Sequence, residues 1–161
     1  MMSNADLLAE ITSDPLSMGY SAFVVSAPGR IADMLNAVGA LRLNKRRMMS
    51  EMGVMDKYAD GPLAADGVMK KLEACAQTSH PLAGVINRTL KFLARIEGID
   101  IGAKNTLLQF DVLAATGVLT VDEAEKMKAL SLAPCSRAEQ LFGWGVVVTE
   151  AQVREALNGN N

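Results

Sequence analysis

The sequence predicts an all-α fold, a compact bundle of about six to eight short helices joined by tight capped turns. Three observations predict it. Half of the 161 residues are apolar while aromatics make up only 4%. The apolar load is mostly Ala, Leu and Met, whose side chains lose little rotamer freedom in a helix. Apolar positions recur every three or four residues through most of the chain, and hydroxyl residues and glycines mark where those runs start and stop. A chain of this length can bury a core of its own. It is read as one helical domain over residues 1–161, with N-terminal helices and a Met-rich segment in 1–60 and the helical core in 61–161.

The first helix is expected over residues 4–12, capped by Ser3, with Leu7, Leu8 and Ile11 as its apolar stripe. The segment "TSDPLSMGYS" follows. Asp14 can cap, Pro15 suits the first position of a helical turn, and Gly19 can take the left-handed conformation that ends it. Tyr20 then buries a ring while its hydroxyl finds a partner. Asp14, Pro15, Gly19 and Tyr20 together read as a structural joint, since no nucleophile here has a base beside it.

"AFVV" at 22–25 reads as extended, and Ser26 as the cap of a second helix with Pro28 in its first turn and Ile31, Leu35 and Val38 inward. Met48, Met52 and Met55 then recur at helical spacing, a stripe that Gly53 interrupts and Asp60, Gly61 and Pro62 end. Residues 63–78 place Val68, Leu72 and Cys75 on one face. A helix from His80–Pro81 to about residue 96 buries Leu82, Ile86, Leu90 and Leu93 and exposes Arg88, Lys91 and Arg95. "EGIDIGAKN" forms a loop in which Gly98 and Gly102 bracket alternating isoleucines, and a helix over 105–116 stops at Gly117.

Three capping boxes follow, Thr120 with Glu123, Ser136 with Glu139, and Thr149 with Gln152. They predict three sharply started helices, the last stapled by Val148 and Val153. The run "VVV" at 146–148 is the short extended link expected near the C-terminus.

The formal charge is −2 with a pI near 5.4, so no overall field draws the chain to polyanions or anionic lipid. Acids at Asp6 and Glu10 and the lack of any apolar run of about 18 residues exclude the usual export and membrane signals. Cys75 and Cys135 have no CxxC spacing and His80 is the single histidine. No metal or cofactor is expected, and the thiols read as reduced core residues. The chain also contains no GxSxG, HExxH, GxxxxGK[ST] or strand-borne GxGxxG, so the expectation is a non-enzymatic protein with no catalytic residues.

Two interaction readings remain. Nucleic acid has footholds in Lys45, Arg46 and Arg47, in Arg88, Lys91 and Arg95, and in a helix-turn-helix outline over 105–130. Asp122, Glu123 and Glu125 at the start of its second helix would oppose phosphates, which makes this the weaker reading. Adhesion to protein needs only a firm fold and apolar faces. Met48, Met49, Met52 and Met55, with Phe23 and Trp144, are the apolar residues least securely assigned to a core.

Several stretches carry a resemblance: Asp14, Pro15, Leu16, Gly19 and Tyr20; Leu35 and Asn36; "GIDIG" at 98–102; "GVLT" at 117–120; "SRAEQLFG" at 136–143; and "VVTEAQVREAL" at 147–157. In this pattern the chain resembles small structural-module proteins of tailed bacteriophages and prophages. It departs from them in the inserted "AFVV" and across residues 39–60. The resemblance implies a virion component, made in the host cytoplasm and carried in the tail or head-to-tail region. Its partners would be other virion proteins and copies of itself, in a multi-copy symmetric assembly without membrane contact. The alternative is a small phage regulator that binds DNA or a host protein. No catalytic residue is carried over.

Overall fold

The structure, a computed structural model, describes residues 2–159. Nine α-helices and four short strands are found among them. The helices are α1 Asn4–Ser13, α2 Pro28–Asn36, α3 Glu51–Lys57, α4 Pro62–Ala76, α5 Ala83–Leu93, α6 Lys104–Ala115, α7 Val121–Ala129, α8 Arg137–Phe142 and α9 Glu150–Asn158. The strands are β1 Val38–Leu43, β2 Met48–Met49, β3 Ile99–Asp100 and β4 Leu132–Ser136. The fold is therefore mostly α, and the expectation of an all-α chain is corrected by two small sheets. One pairs β1 with β4; the other pairs β2 with β3 antiparallel, with Met48 opposite Asp100 and Met49 opposite Ile99.

The chain divides into two compact units. The first combines the residues up to Arg42 with those from Pro134 onward, and the second is Leu43–Ala133. The crossings fall inside β1 and β4, not near residue 60 where the sequence pattern changes.

In the first unit, α1 starts as expected, with the Ser3 hydroxyl accepting the Asp6 N–H at 3.1 Å. It ends at Asp14, which is itself the left-handed C-cap at φ 39. The joint is built differently from the expected helical turn. Ser17 N–H bonds the Asp14 carbonyl at 2.9 Å. The Asp14 carboxylate accepts from both Met18 N–H and Gly19 N–H at 2.7 Å. One side chain thus satisfies two loop amides, which fixes the exit from α1. Tyr20 follows fully buried at the start of a 3-10 turn, Tyr20–Ala22.

"AFVV" is not extended. Phe23 N–H bonds Tyr20 O at 2.9 Å and Ala27 N–H bonds Phe23 O at 3.0 Å. These local turns satisfy the backbone where no neighbouring strand offers partners, and Val25 is left exposed. Ser26 is not the cap of α2 either. The cap position is Ala27, without a side-chain bond, and Pro28 at the first position has no N–H to satisfy. Val38 lies past the end of α2 on β1, exposed rather than inward.

The core of this unit joins Leu7 and Ile11 of α1, Tyr20, Ile31 and Leu35 of α2, Ala138 of α8, and Val148, Val153 and Ala156 from α9 and its approach. The link at 146–148 pairs with no strand; an amide takes that role. Asn36 Nδ2 donates to Val148 O at 2.7 Å and Asn36 Oδ1 accepts Val148 N–H at 2.9 Å. The same residue that ends α2 therefore anchors the entry to α9.

In the second unit the core gathers Val54, Tyr58, Val68, Leu72, Ile86, Leu93, Ile101, Phe110, Leu113, Leu119 and Met127 around α4 and α6. The expected helices from 63 to 116 form with ends shifted by a few residues. Cys75 is a core residue, as read. All three capping boxes are complete, at Thr120–Glu123, Ser136–Glu139 and Thr149–Gln152.

Gly98 and Gly102 bracket β3 because backbone meets backbone there. A Cβ at Gly98 would fall inside the Met49 carbonyl, and one at Gly102 inside the Asn44 carbonyl; Gly98 also has φ +68. The absence of side chains lets Ile101 N–H reach Arg47 O at 2.9 Å. Gly98→Ala and Gly102→Ala should each lower stability by about 2 kcal/mol or more. Urea denaturation of each variant beside Gly67→Ala, where a Cβ meets open space, checks this, and Gly67→Ala should stay within about 1 kcal/mol of wild type.

Candidate interaction surface

The unit formed by Leu43–Ala133 carries an exposed apolar and cationic face built by α3 and α5. Ser50 starts α3, its hydroxyl accepting the Gly53 N–H at 3.4 Å. Just before it, strand alternation decides the methionines. Met49 points into the core while Met48 faces out. Met52, in the first turn of α3, is 76% exposed, whereas Met55 packs partly buried against the core. The Met stripe expected on one helix is thus divided between a strand and a helix, and between inside and outside. Gly53 does not interrupt α3; it lies within it.

His80 lies just before α5, its Nδ1 accepting the Leu82 N–H at 3.1 Å. The helix buries Ile86 and Leu93 and half-buries Leu82 and Leu90. Its outer stripe is Val85, Arg88 and Phe92, with Lys91 beside it and Arg95 in the turn just past its end, all exposed. The Arg95 guanidinium lies over the Phe92 ring at 4.8 Å from its centroid. Phe92 is 47% exposed and Ile96, just past the helix, 97%. Between the start of α3 and the end of α5 runs a groove of about 390 Å³ lined by Ser50, Glu51, Met52, Leu93, Arg95 and Ile96.

The structure therefore brings together residues that the sequence offered for two different roles, Met52 for protein contact and Arg95 for nucleic acid. It does not assemble either full set. Lys45 and Arg46 lie exposed in the turn between β1 and β2, and Lys45 lines another groove with Lys104 and Asp111. Arg47 is half-buried. Phe23 is half-buried against the core of the other unit, with the Arg30 guanidinium 5.9 Å from its ring centroid. Trp144 sits partly exposed in the turn at Gly143–Gly145. Phe92, Ile96 and Val85 carried no signal of their own in the sequence, although Val85 and Phe92 share a side of α5 with Arg88 and Ile96 follows Arg95 in the turn after it.

The helix-turn-helix outline forms as α6 and α7, but its acids are engaged. Lys71 meets Glu123 at 2.6 Å, Lys126 meets Asp60 at 2.5 Å and Asp122 at 2.6 Å, and Lys128 meets Asp111 at 2.7 Å and Glu125 at 2.5 Å. Hydrogen bonds donated to its two carboxylate partners raise the pKa of Lys126, and the bond from Lys71 lowers that of Glu123. Arg88, Lys91 and Arg95 have no ion-pair partner among the described residues.

Two interior features lie away from this face. An apolar cavity of about 30 Å³ beside Leu72, Phe110 and Met127 has room for about one water. In the first unit, Glu10 is 6% exposed and takes a bidentate pair from Arg137, Nε–Oε1 2.7 Å and Nη2–Oε2 2.8 Å. Arg137 also donates to Gln140 Oε1 at 2.5 Å. The Tyr20 hydroxyl beside them is 3.0 Å from Met18 Sδ. Burial, then the Glu10 charge, push the phenol up from 10.0 to about 12. This cluster ties α1, the joint and α8 together and is filled by its own members. Among the described residues no three His, Cys, Asp or Glu side chains are grouped to hold a metal, and no helix is long and apolar enough to cross a membrane.

No protein-family model, curated protein or solved structure matches this chain.

Removing one side of the buried pair leaves an unpaired charge, so Arg137→Ala should destabilise the protein by about 3 kcal/mol, measured by urea denaturation at neutral pH. The raised Tyr20 value has its own signature. The preference for the neutral phenol is fully present below pH 10 and is lost as pH climbs toward 12. Stability should fall across that window, and Tyr20→Phe should flatten the part of the fall that Tyr20 causes.

Proposed function

We propose that this protein is a non-enzymatic structural or adaptor component of a tailed-phage particle, assembling in multiple copies through exposed apolar faces. The observation that carries this reading is the groove lined by Met52, Arg95 and Ile96, with Phe92 exposed beneath the Arg95 guanidinium. Large apolar side chains left this open on a well-capped frame are what a contact surface needs. The likeness of the joint, cap and glycine pattern to tailed-phage proteins supplies the setting, in the tail or at the head-to-tail region. The polar groups that converge inside the first unit bind one another, which suits support rather than turnover.

The second reading, a small DNA-binding regulator, draws on Arg88, Lys91 and Arg95, which stand exposed without ion-pair partners. It requires salt-sensitive binding that is lost when all three become Glu, and a gel-shift assay at two salt concentrations separates it from the first.

Mass spectrometry of particles purified from the host that carries the gene should detect the chain at a constant ratio to the other particle proteins. Met52→Asp should reduce its incorporation while leaving the isolated protein folded by circular dichroism. Met55→Asp, which puts a charge against the core, should instead lower stability by about 2 kcal/mol. Intact incorporation of Met52→Asp would set aside this face as the contact.

A further inference from the structure

We infer that the groove between α3 and α5 receives an amphipathic, acid-bearing helix of a partner protein. The inference rests on the reading of the chain as an assembly module and names the partner's chemistry.

The geometry argues for a helix. The outer stripe Val85, Arg88, Phe92 repeats at spacings of three and four, so it lies along one side of α5 and runs for about 10 Å at 1.5 Å per residue, with Arg95 in the turn just beyond it. That length suits about seven residues, two turns, of a second helix laid beside it. Next to the stripe, the groove between Met52 and Ile96 has a volume of about 390 Å³, within the roughly 300–1,000 Å³ of sites that bury apolar groups. A helix with apolar residues three or four apart would sink them there, the helix-in-groove mode. Met52 suits such a contact because its unbranched thioether repacks around different shapes.

Charge selects the kind of helix. Arg88, Lys91 and Arg95 face solvent along the stripe and just beyond it, whereas the lysines of α7 already hold carboxylates. Carboxylates on the flank of the incoming helix would meet these cations, steering its approach and fixing its direction. Glu51 on the opposite lip disfavours acids there and restricts them to the α5 side.

A polyanion fits this surface less well. The face of Phe92 is covered by Arg95 at 4.8 Å, so it offers no open platform for a base. Ile96 and Met52 find no use against phosphates, and Glu51 repels them.

The test uses the full chain and three fluorescent probes. The first is a synthetic helical peptide of about 14 residues, four turns, with Leu every third or fourth position and Glu on one flank. The second has Lys in place of Glu, and the third is a single-stranded oligonucleotide. Anisotropy titrations should show the Glu peptide binding at least about tenfold tighter than the Lys peptide, with the margin shrinking as salt rises. Arg88→Glu with Arg95→Glu should reverse that order, and Ile96→Asp should abolish binding of both peptides. Circular dichroism should show both variants folded, since all three side chains are exposed. No binding, equal binding of the two peptides, binding unaffected by the variants, or tighter binding of the oligonucleotide would overturn the inference. Detecting the chain in purified particles while the Glu peptide fails to bind would sink the partner assignment alone. Peptide binding with no chain in particles would leave the groove assigned and remove the particle reading.

Discussion

Helix ends govern this structure. Every α-helix leaves four N–H groups at its start and four C=O groups at its end without partners inside the helix. In a six-residue helix such as α8 those orphans outnumber the internal bonds. Segments this short are not stable alone, so they persist only where side chains satisfy the ends and apolar faces dock. Ser3, Ser50, Thr120, Ser136 and Thr149 each supply a hydroxyl to a first-turn amide. Asp14 and Asn36 do equivalent work for the loop amides and for the link into α9. Most of the polar side chains that bind backbone here are punctuation of this kind.

The two units meet the constraint differently. The first uses side chains of long reach, with Asn36 bonding Val148 and Glu10 held by Arg137, residues 112 and 127 positions apart in the chain. These bonds set the packing of α1, α2, α8 and α9 around Tyr20. The second uses the absence of side chains, at Gly98 and Gly102, to bring β3 against β2 and the preceding turn. That approach orders the start of α3, and with it the position of Met52 beside the end of α5. The exposed apolar face thus follows from where two glycines allow backbones to touch.

The residues on which the proposed phage reading draws are mostly the residues that perform these tasks. Asp14 and Gly19 form the joint, Asn36 braces α9, Gly98 and Gly102 admit close approach, and Thr120, Ser136 and Thr149 cap. The apolar and cationic groove lies largely outside that pattern. Its Met52 falls in the span 39–60, which contributes nothing to that pattern.

By itself, the sequence determined most of the helices, all three capping boxes, the burial of Cys75 and the cationic side of α5, because these depend on neighbours within about four residues. It did not determine β1 to β4. Each is a short strand that exists only through a partner distant in the chain, as when Met48 and Met49 pair with Asp100 and Ile99. For the same reason the Met stripe read as one helix face, since a two-residue strand leaves no period to detect, and alternation put Met49 inside and Met48 outside. The grouping of the first and last segments into one unit was equally hidden. It arises from contacts such as α1 and α2 against α9, and only the folded chain brings those surfaces together to exclude water.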